Sequence, residues 1–199
     1  MDRLILARHA ESEFSVRGAM NGDPSVAGGG LTERGREQAR ALGELLADDE
    51  IDLCVYTEFS RTRETAELAL AGRDVPRIVV PELNDIRVGS FEGGLLTDYR
   101  RWAHSHDPTD ECPGGGESRV EAAARFARGY RFLLARPERT IFAVAHGLPI
   151  RYLLSALVEQ DPAAIVDPVQ HAEPNRVSHA QLERAVARLE RWCAAPAFA

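Results

Sequence analysis

Two short apolar runs, each followed at once by a histidine, constrain the fold of this 199-residue chain more than any other feature. Residues 4–7 lead into Arg8 and His9, and residues 141–145 lead into His146. Apolar runs of this length are typical of strands buried on both faces, as in parallel sheets. Open α/β sheets bind ligands beyond the carboxyl ends of their strands. We therefore expect the two histidines, although far apart in sequence, to meet at one sheet edge.

Strand and helix patterns alternate along the chain. Strands are predicted at 3–7, 51–56, 77–80 and 141–145, with a final pair at 176–182 and 187–192. Helices are predicted at 33–47, 61–70, 96–103 and 121–134, with one more beginning near Pro149, and the polar residues 13–30 predict a loop. Thr32 and Ser60 are the predicted N-caps of the first two helices. This alternation predicts a single α/β domain over residues 1–199, with a mainly parallel central sheet flanked by helices.

Composition excludes several function classes. All 24 basic residues are arginine, so a Schiff-base lysine and a Walker-type phosphate loop, which need the lysine ammonium, are absent. The net charge of −7 is unfavourable for binding nucleic acid through a basic face, and no apolar stretch is long enough to span a membrane. The three scattered cysteines follow no metal or disulfide spacing. With no recognisable signal peptide, we expect a cytoplasmic location.

Arginines and helix starts accompany the histidines at the predicted sheet edge. Arg8 precedes His9, and Arg61 begins the helix that follows strand 51–56. Helix N-termini attract anions through their free N–H groups, and the guanidinium fork suits bidentate contacts with phosphate or carboxylate. This much positive potential favours a phosphate dianion, although a carboxylate ligand stays open.

Several segments carry motifs that one enzyme family combines in this order. They are RHAES at 8–12, LTERG at 31–35, TEFSRTRETA at 57–66, LNDIRVGSFEG at 83–93, GGES at 115–118 and VAHG at 144–147. The set, which covers nearly the whole chain, resembles the histidine phosphatase superfamily with its phosphoglycerate mutase-like fold. The resemblance implies a cofactor-independent phosphomonoester hydrolase that acts on a small phosphorylated metabolite and uses no metal.

The resemblance also implies roles for single residues. His9 matches the nucleophile that becomes a phosphohistidine, and Asp85 matches the proton donor to the leaving oxygen. The residues expected to bind the phosphoryl group and the rest of the substrate are Arg8, Ser15, Gly22, Arg61, His146, Gly147 and Leu148. His9 must be neutral while Asp85 is protonated, which predicts a bell-shaped, mildly acidic pH profile.

Three positions depart from the family pattern. Ala10 replaces a glycine, and Ser15 stands where many members have an asparagine that touches phosphate. Asp85 replaces the more frequent glutamate, which shortens its reach to the leaving group.

Other residues near these motifs have simpler interpretations. Glu11 is expected to accept structural hydrogen bonds from Arg8 or a neighbour, and His171 is expected in packing or on the surface. Residues 104–112 contain histidine, aspartate and cysteine but fit no standard zinc spacing, so a solvated loop is favoured, with Arg101 or Trp102 shaping the substrate.

The sequence leaves two other functions open. In a mutase, the phosphohistidine would return its phosphoryl group to a sugar acid, but the mutases carry a longer insertion after the proton-donor segment. A non-catalytic, phosphate-binding regulatory module would keep the pocket without turnover. The motifs are silent on the substrate, because specificity would lie in residues 13–30 and 95–117, and a homodimer stays open.

Overall fold

A computed structural model describes all residues, 1–199, and contains a five-stranded sheet with the order β3-β2-β4-β1-β5. The strands are β1 (Arg3–Arg8), β2 (Leu53–Tyr56), β3 (Arg77–Val79), β4 (Thr140–Ala145) and β5 (Pro174–Ser178). The first four are mutually parallel, and β5 pairs with β1 in the antiparallel sense. The prediction of a mainly parallel α/β sheet is thus confirmed.

Seven α-helices surround the sheet. They are α1 (Glu13–Arg17), α2 (Glu33–Leu45), α3 (Ser60–Ala69), α4 (Leu96–His104), α5 (Arg119–Leu134), α6 (Gly147–Leu157) and α7 (His179–Ala194). Two short 3₁₀ turns, Pro81–Leu83 and Gly89–Phe91, lie between β3 and α4. None of the helices combines the length and apolarity that are needed to cross a membrane.

The two faces of the sheet bury separate apolar cores, as successive side chains of a strand alternate between them. Leu4 and Leu6 of β1 belong to the larger core beneath α5, α6 and α7. Ile5 and Ala7 belong to the smaller core beneath α2 and α3. Apolar residues on both faces explain why β1 and β4 read as continuous hydrophobic runs.

The register of β1 and β4 brings the two histidines together. Arg8 pairs with Ala145, and the amide of His9 donates to the Ala145 carbonyl at 2.9 Å. His9 and His146 therefore follow neighbouring parallel strands at the same level, as the sequence predicted.

The predicted strand at 187–192, the second of the final pair, is wrong. Only 174–178 is a strand, and residues 179–194 form α7. Ser178 caps this helix, and Gln181 completes a capping box with it. The buried positions Leu182, Ala185, Val186 and Leu189 follow the helical spacing of three and four residues.

The N-terminal part of the chain brings two smaller corrections. The predicted loop 13–30 contains α1, whose N-cap Ser12 forms a capping box with Ser15. Thr32 caps α2 as predicted, but Ser60 is the first residue of α3, and Phe59 occupies the N-cap without a side-chain hydrogen bond.

Candidate active site

His9 is held as a neutral imidazole with a defined tautomer. Its Nδ1 lies 2.8 Å from the carbonyl oxygen of Ala10, so Nδ1 carries the proton and donates it. Burial lowers the pKa of His9 well below its usual value, and the charges of Arg61 and Arg8 lower it further. Nε2 therefore keeps a free electron pair, which accepts a 3.2 Å hydrogen bond from Nε of Arg61.

Arg61 projects from the first turn of α3 and joins the two histidines. Its Nη2 lies 3.1 Å from Nδ1 of His146 and 3.0 Å from the Asn21 carbonyl oxygen, while its Nη1 donates to the Asn21 side chain. Burial, followed by the charge of Arg8, lowers the pKa of Arg61 to about 10, against the opposing effect of Asp85. Its guanidinium thus stays cationic at neutral pH and supplies a fixed positive charge beside His9.

His146 lies behind Arg61 and is fully buried. Its Nε2 donates to the Thr57 hydroxyl at 2.8 Å, because its Nδ1 faces a guanidinium that can only donate. The rings of His9 and His146 are 5.4 Å apart at 62°. Burial and the charge of Arg61 lower the pKa of His146 well below its usual value. His146 was expected to bind a phosphoryl oxygen. In this arrangement it contacts Arg61 and is not among the residues that line the cleft.

Arg8 presents an unused donor. Its Nη1 donates to the Val169 carbonyl at 2.7 Å, but its buried Nε has no hydrogen-bond partner. A Cβ at Gly147 would stand 3.8 Å from that Nε, in van der Waals contact, so the glycine leaves this side of the donor uncovered. An anion beside Gly147 would satisfy this donor.

Asp85 follows the Pro81–Leu83 turn and faces Arg61 and His146. Its Oδ1 accepts from the Ile86 amide at 3.0 Å, and its Oδ2 lies 3.8 Å from both Nη2 of Arg61 and Nδ1 of His146. Burial raises the pKa of Asp85 above its usual value, although Arg61 opposes the shift. A raised pKa is the property that a proton donor needs.

An ion pair between buried Glu117 and partly buried Arg125 holds the loop that carries Asp85. Arg125 donates to Glu117 at 2.8 and 2.7 Å, and also to the carbonyls of Glu82, Asn84 and Asp85. Burial would raise the pKa of Glu117, but the hydrogen bonds from Arg125 and from the Arg87 amide hold it below its usual value. The hydrogen bonds from Arg125 to the carbonyls therefore fix the backbone of residues 82–85.

These groups open into a cleft of about 230 Å³. Of the sequence-predicted residues, Arg8, His9, Ser15, Arg61, Asp85, Gly147 and Leu148 line it. The hydroxyl of Ser15 lies 2.8 Å from that of Ser12.

Gly22, which was expected to bind substrate, is not among the residues that line this cleft, although it lines a neighbouring pocket together with Asp85. Its amide donates to Glu92 at 2.8 Å, and a Cβ here would stand 2.1 Å from the Ile86 carbonyl oxygen. Gly22 thus permits the close approach of two loops.

Helix α4 contributes a different face from the one expected. Leu96, Tyr99, Arg100 and His104 line the cleft, because their spacing of three and four residues places them on one side of the helix. Arg101 and Trp102 turn away from it. In the following loop, His106 stacks on Trp102 with ring centroids 4.5 Å apart.

Sequence reasoning missed His171 and Asn21 as site residues. His171 lines the cleft, and its Nδ1 donates to the His9 carbonyl at 2.8 Å, with the two rings 5.4 Å apart. Both residues reach the site through long-range contacts, and neither lies in a recognised motif. Glu11 has the structural role that was expected, although it accepts from Thr32 at 2.8 Å and not from Arg8.

Comparison with known proteins decides the family. The model of the histidine phosphatase superfamily (branch 1) matches residues 4–195. The chain belongs to this family. The adenosylcobalamin/alpha-ribazole phosphatase of Salmonella typhimurium is 43% identical over 90 residues, which cover 45% of this chain and 43% of that protein. The match thus spans less than half the length of that relative.

Two further similarities cover more of the chain. A 2,3-bisphosphoglycerate-dependent phosphoglycerate mutase of Methylobacterium sp. is 33% identical over 177 residues, which cover 79% of this chain and 81% of that protein. The crystal structure of the alpha-ribazole phosphatase from Shigella flexneri superposes with a TM-score of 0.73 at 28% identity, covering 87% of this chain and 89% of that one. The family therefore contains relatives named for hydrolysis and for phosphoryl transfer.

Proposed function

We propose that the protein is a phosphomonoester hydrolase that acts on a small phosphorylated metabolite through a phosphohistidine at His9. The observation that carries the proposal is the state of His9: a buried, neutral imidazole whose Nδ1 is bound to Ala10 and whose Nε2 lone pair faces a guanidinium. A nitrogen nucleophile needs such a lone pair. Membership of the histidine phosphatase superfamily and the phosphatases among its relatives support the same chemistry.

In the first step, Nε2 of His9 attacks phosphorus, the P–N bond forms and the P–O bond to the leaving group breaks. Arg61 gives up its hydrogen bond to Nε2 and directs it to a phosphoryl oxygen. The free Nε of Arg8 takes a second oxygen. Such preorganised donors stabilise the charge that the transition state places on the equatorial oxygens. His146 supports Arg61 through its Nδ1 contact.

Asp85 serves both steps. Its protonated carboxyl group gives a proton to the leaving oxygen, which departs as an alcohol. The resulting carboxylate then takes a proton from water as that water attacks phosphorus and breaks the P–N bond. The site returns with inorganic phosphate as product. The raised pKa of Asp85 fits this alternation, because a carboxyl group that exchanges its proton must be close to its pKa.

The mutase function remains an alternative because the Methylobacterium relative is named as a phosphoglycerate mutase. In that reaction a sugar acid would replace water as the acceptor of the phosphoryl group. The regulatory alternative would stop at bound phosphate or at a stable phosphohistidine. The three functions differ in what accepts the phosphoryl group from His9: water in the hydrolase, a sugar acid in the mutase, and no acceptor in the regulatory module.

The test measures release of inorganic phosphate by the wild type and by His9→Ala, with His179→Ala as the matched control. His179 is exposed at the start of α7, and its side chain bonds the Met1 carbonyl, so its loss should leave turnover unchanged. We expect His9→Ala to lose on the order of 10³-fold or more in kcat. Near-normal turnover in His9→Ala would refute the mechanism. Preferential transfer of the phosphoryl group to added phosphoglycerate would establish the mutase. Phosphorylation of His9 without turnover would establish the regulatory module.

A further inference from the structure

Three buried side-chain polar atoms have no hydrogen-bond partner, and they belong to residues of one cleft. They are Nε of Arg8, the hydroxyl of Tyr99 and Nε of Arg119. Native proteins pair nearly all their buried polar groups, so unpaired groups gathered in one cleft indicate a ligand that completes them. The proposed phosphoryl site accounts for Arg8 and leaves Tyr99 and Arg119 unexplained.

Arg119 is a buried cation without a carboxylate. It begins α5 and is 5% exposed, and its Nη1 donates to the neutral hydroxyl of Tyr152 at 2.9 Å. No ion pair of the chain includes it, whereas Arg61, the other buried arginine, lies 3.8 Å from Asp85. An unpaired buried charge is strongly unfavourable, so an anionic partner is expected.

Tyr99 stands beside Arg119 and presents a hydroxyl to the same place. The guanidinium carbon lies 5.7 Å from the Tyr99 ring centroid, and Tyr99 is 4% exposed. Arg119 can only donate hydrogen bonds, and the tyrosine hydroxyl can donate as well. Their joint complement is a group that only accepts, which describes a carboxylate or a phosphate.

The charge of the cleft agrees with this complement. Four arginines line it: Arg8, Arg61, Arg100 and Arg119. The acidic side chains that line it are Asp85 and Asp167, and Asp85 is assigned to proton transfer. After a phosphate dianion has bound beside Arg8 and Arg61, Asp167 is the one remaining carboxylate of the lining against Arg100 and Arg119, and neither arginine forms an ion pair with it.

We infer that Arg119 and Tyr99, here called the Arg119 subsite, bind a second anionic group of the substrate, either a carboxylate or a second phosphate. The inference rests on the proposed phosphatase function and narrows its substrates to phosphomonoesters with two acidic groups. Arg8 and Arg61 hold the ester phosphate over His9, while the Arg119 subsite holds the other anion at a fixed distance along the cleft.

The first test uses the wild-type protein and pairs of substrates that differ in one group. 3-Phosphoglycerate and glycerol 3-phosphate differ only by a carboxylate in place of a hydroxymethyl group. Fructose 1,6-bisphosphate and fructose 6-phosphate test the second phosphate. We expect kcat/KM to favour the doubly anionic member of at least one pair by about 10- to 100-fold, the usual worth of hydrogen bonds to a charged group. The pair that shows the preference identifies the anion. Equal kcat/KM values in both pairs would overturn the inference.

The second test identifies the residues that cause the preference for a doubly anionic substrate. Tyr99→Phe removes only a hydroxyl that has no hydrogen-bond partner in the fold, and Arg119→Met removes the charge and the bond to Tyr152 while keeping the apolar stem of the side chain. Arg128→Met, at an exposed position of the same helix, is the control and should keep the wild-type ratio. We expect Arg119→Met to bring the ratio close to one, chiefly through KM, and Tyr99→Phe to reduce it by a smaller factor. A ratio unchanged in both variants would place the anion elsewhere and overturn the assignment.

A binding measurement separates this inference from the proposed function. Calorimetric titration of the His9→Ala variant with 3-phosphoglycerate and with glycerol 3-phosphate, and likewise with the fructose pair, needs no turnover. Tighter binding of a doubly anionic ligand that is lost on adding Arg119→Met supports the Arg119 subsite even if the wild type hydrolyses nothing. Hydrolysis of p-nitrophenyl phosphate without any preference within the pairs would refute the subsite and leave the phosphatase intact.

Discussion

Replacement of Asp85 by asparagine isolates proton donation from the rest of the site. Asparagine has nearly the same shape, and its carbonyl oxygen can still accept from the Ile86 amide at 3.0 Å. The carboxylate contributes little direct bonding, since its Oδ2 is 3.8 Å from Nη2 of Arg61 and from Nδ1 of His146. The pKa of Arg61 is about 10, far above neutral pH. A further decrease on loss of a nearby negative charge therefore leaves the guanidinium cationic. The phosphoryl-binding charges therefore survive the substitution.

The magnitude follows from what the leaving group needs. An alkoxide requires a proton as the P–O bond breaks, whereas p-nitrophenolate leaves without one. We expect Asp85→Asn to slow alkyl phosphate hydrolysis by roughly 10²- to 10⁴-fold, the usual contribution of general acid catalysis. Phosphorylation of His9 by p-nitrophenyl phosphate should slow by less than about 10-fold on the same reasoning.

The assay is rapid-mixing measurement of the p-nitrophenolate burst, together with single-turnover release of alcohol from an alkyl phosphate. The burst isolates phosphorylation of His9 from the later hydrolysis, which also uses Asp85. Asp98→Asn, on the exposed part of α4, is the control for removing one negative charge. Equal losses with both substrates in the first turnover would contradict the proton-donor role and reduce Asp85 to a residue that shapes the pocket.

Three other expectations follow from the same contacts. Initial rates should be unchanged by EDTA and inhibited competitively by vanadate, because Arg8 and Arg61 supply the positive charge; activity lost to EDTA and restored by a metal would refute this. The pH profile of kcat/KM should be bell-shaped, with the acidic limb well below the usual histidine pKa, because His9 is shifted down, and the alkaline limb above the usual aspartate value, because Asp85 is shifted up; an acidic limb near pH 6.5 would contradict the burial argument. Glu117→Gln should lower the free energy of unfolding by about 1–3 kcal/mol in urea titrations, since Arg125 would lose its carboxylate partner and keep only its three carbonyl acceptors, and an unchanged midpoint would refute the stabilising role of the pair.

The sequence predicted the elements whose pattern has one interpretation. The runs at 4–7 and 141–145 are apolar on both faces, so a buried parallel strand was the consistent choice, and their adjacency followed from the histidines that end them. The prediction of a strand at 187–192 was wrong because short apolar patterns fit either a strand or a helix. The capping box at Ser178 and Gln181, and the helical spacing from Leu182 onward, would have decided it.

The site was predictable only where a motif carried it. Arg8, His9, Arg61 and Asp85 lie in such motifs, and the structure brings them together. His171 and the Arg119 subsite reach the cleft from segments whose position depends on how α4, α5 and β5 pack, which no local pattern specifies. At Gly22 the structure shows a close approach to the Ile86 backbone, and a glycine beside a site serves such an approach as readily as ligand binding, so the residue type alone does not decide between the two.

The most direct test of the account is detection of phosphate on His9 during turnover. A rapid-quench experiment with a ³²P-labelled phosphomonoester should trap labelled protein that is stable in alkali and labile in acid, as phosphohistidine is. Peptide mapping should place the label on His9, with formation and decay at least as fast as steady-state turnover. A protein that releases inorganic phosphate at its normal rate while no labelled His9 forms at any time would contradict the central claim.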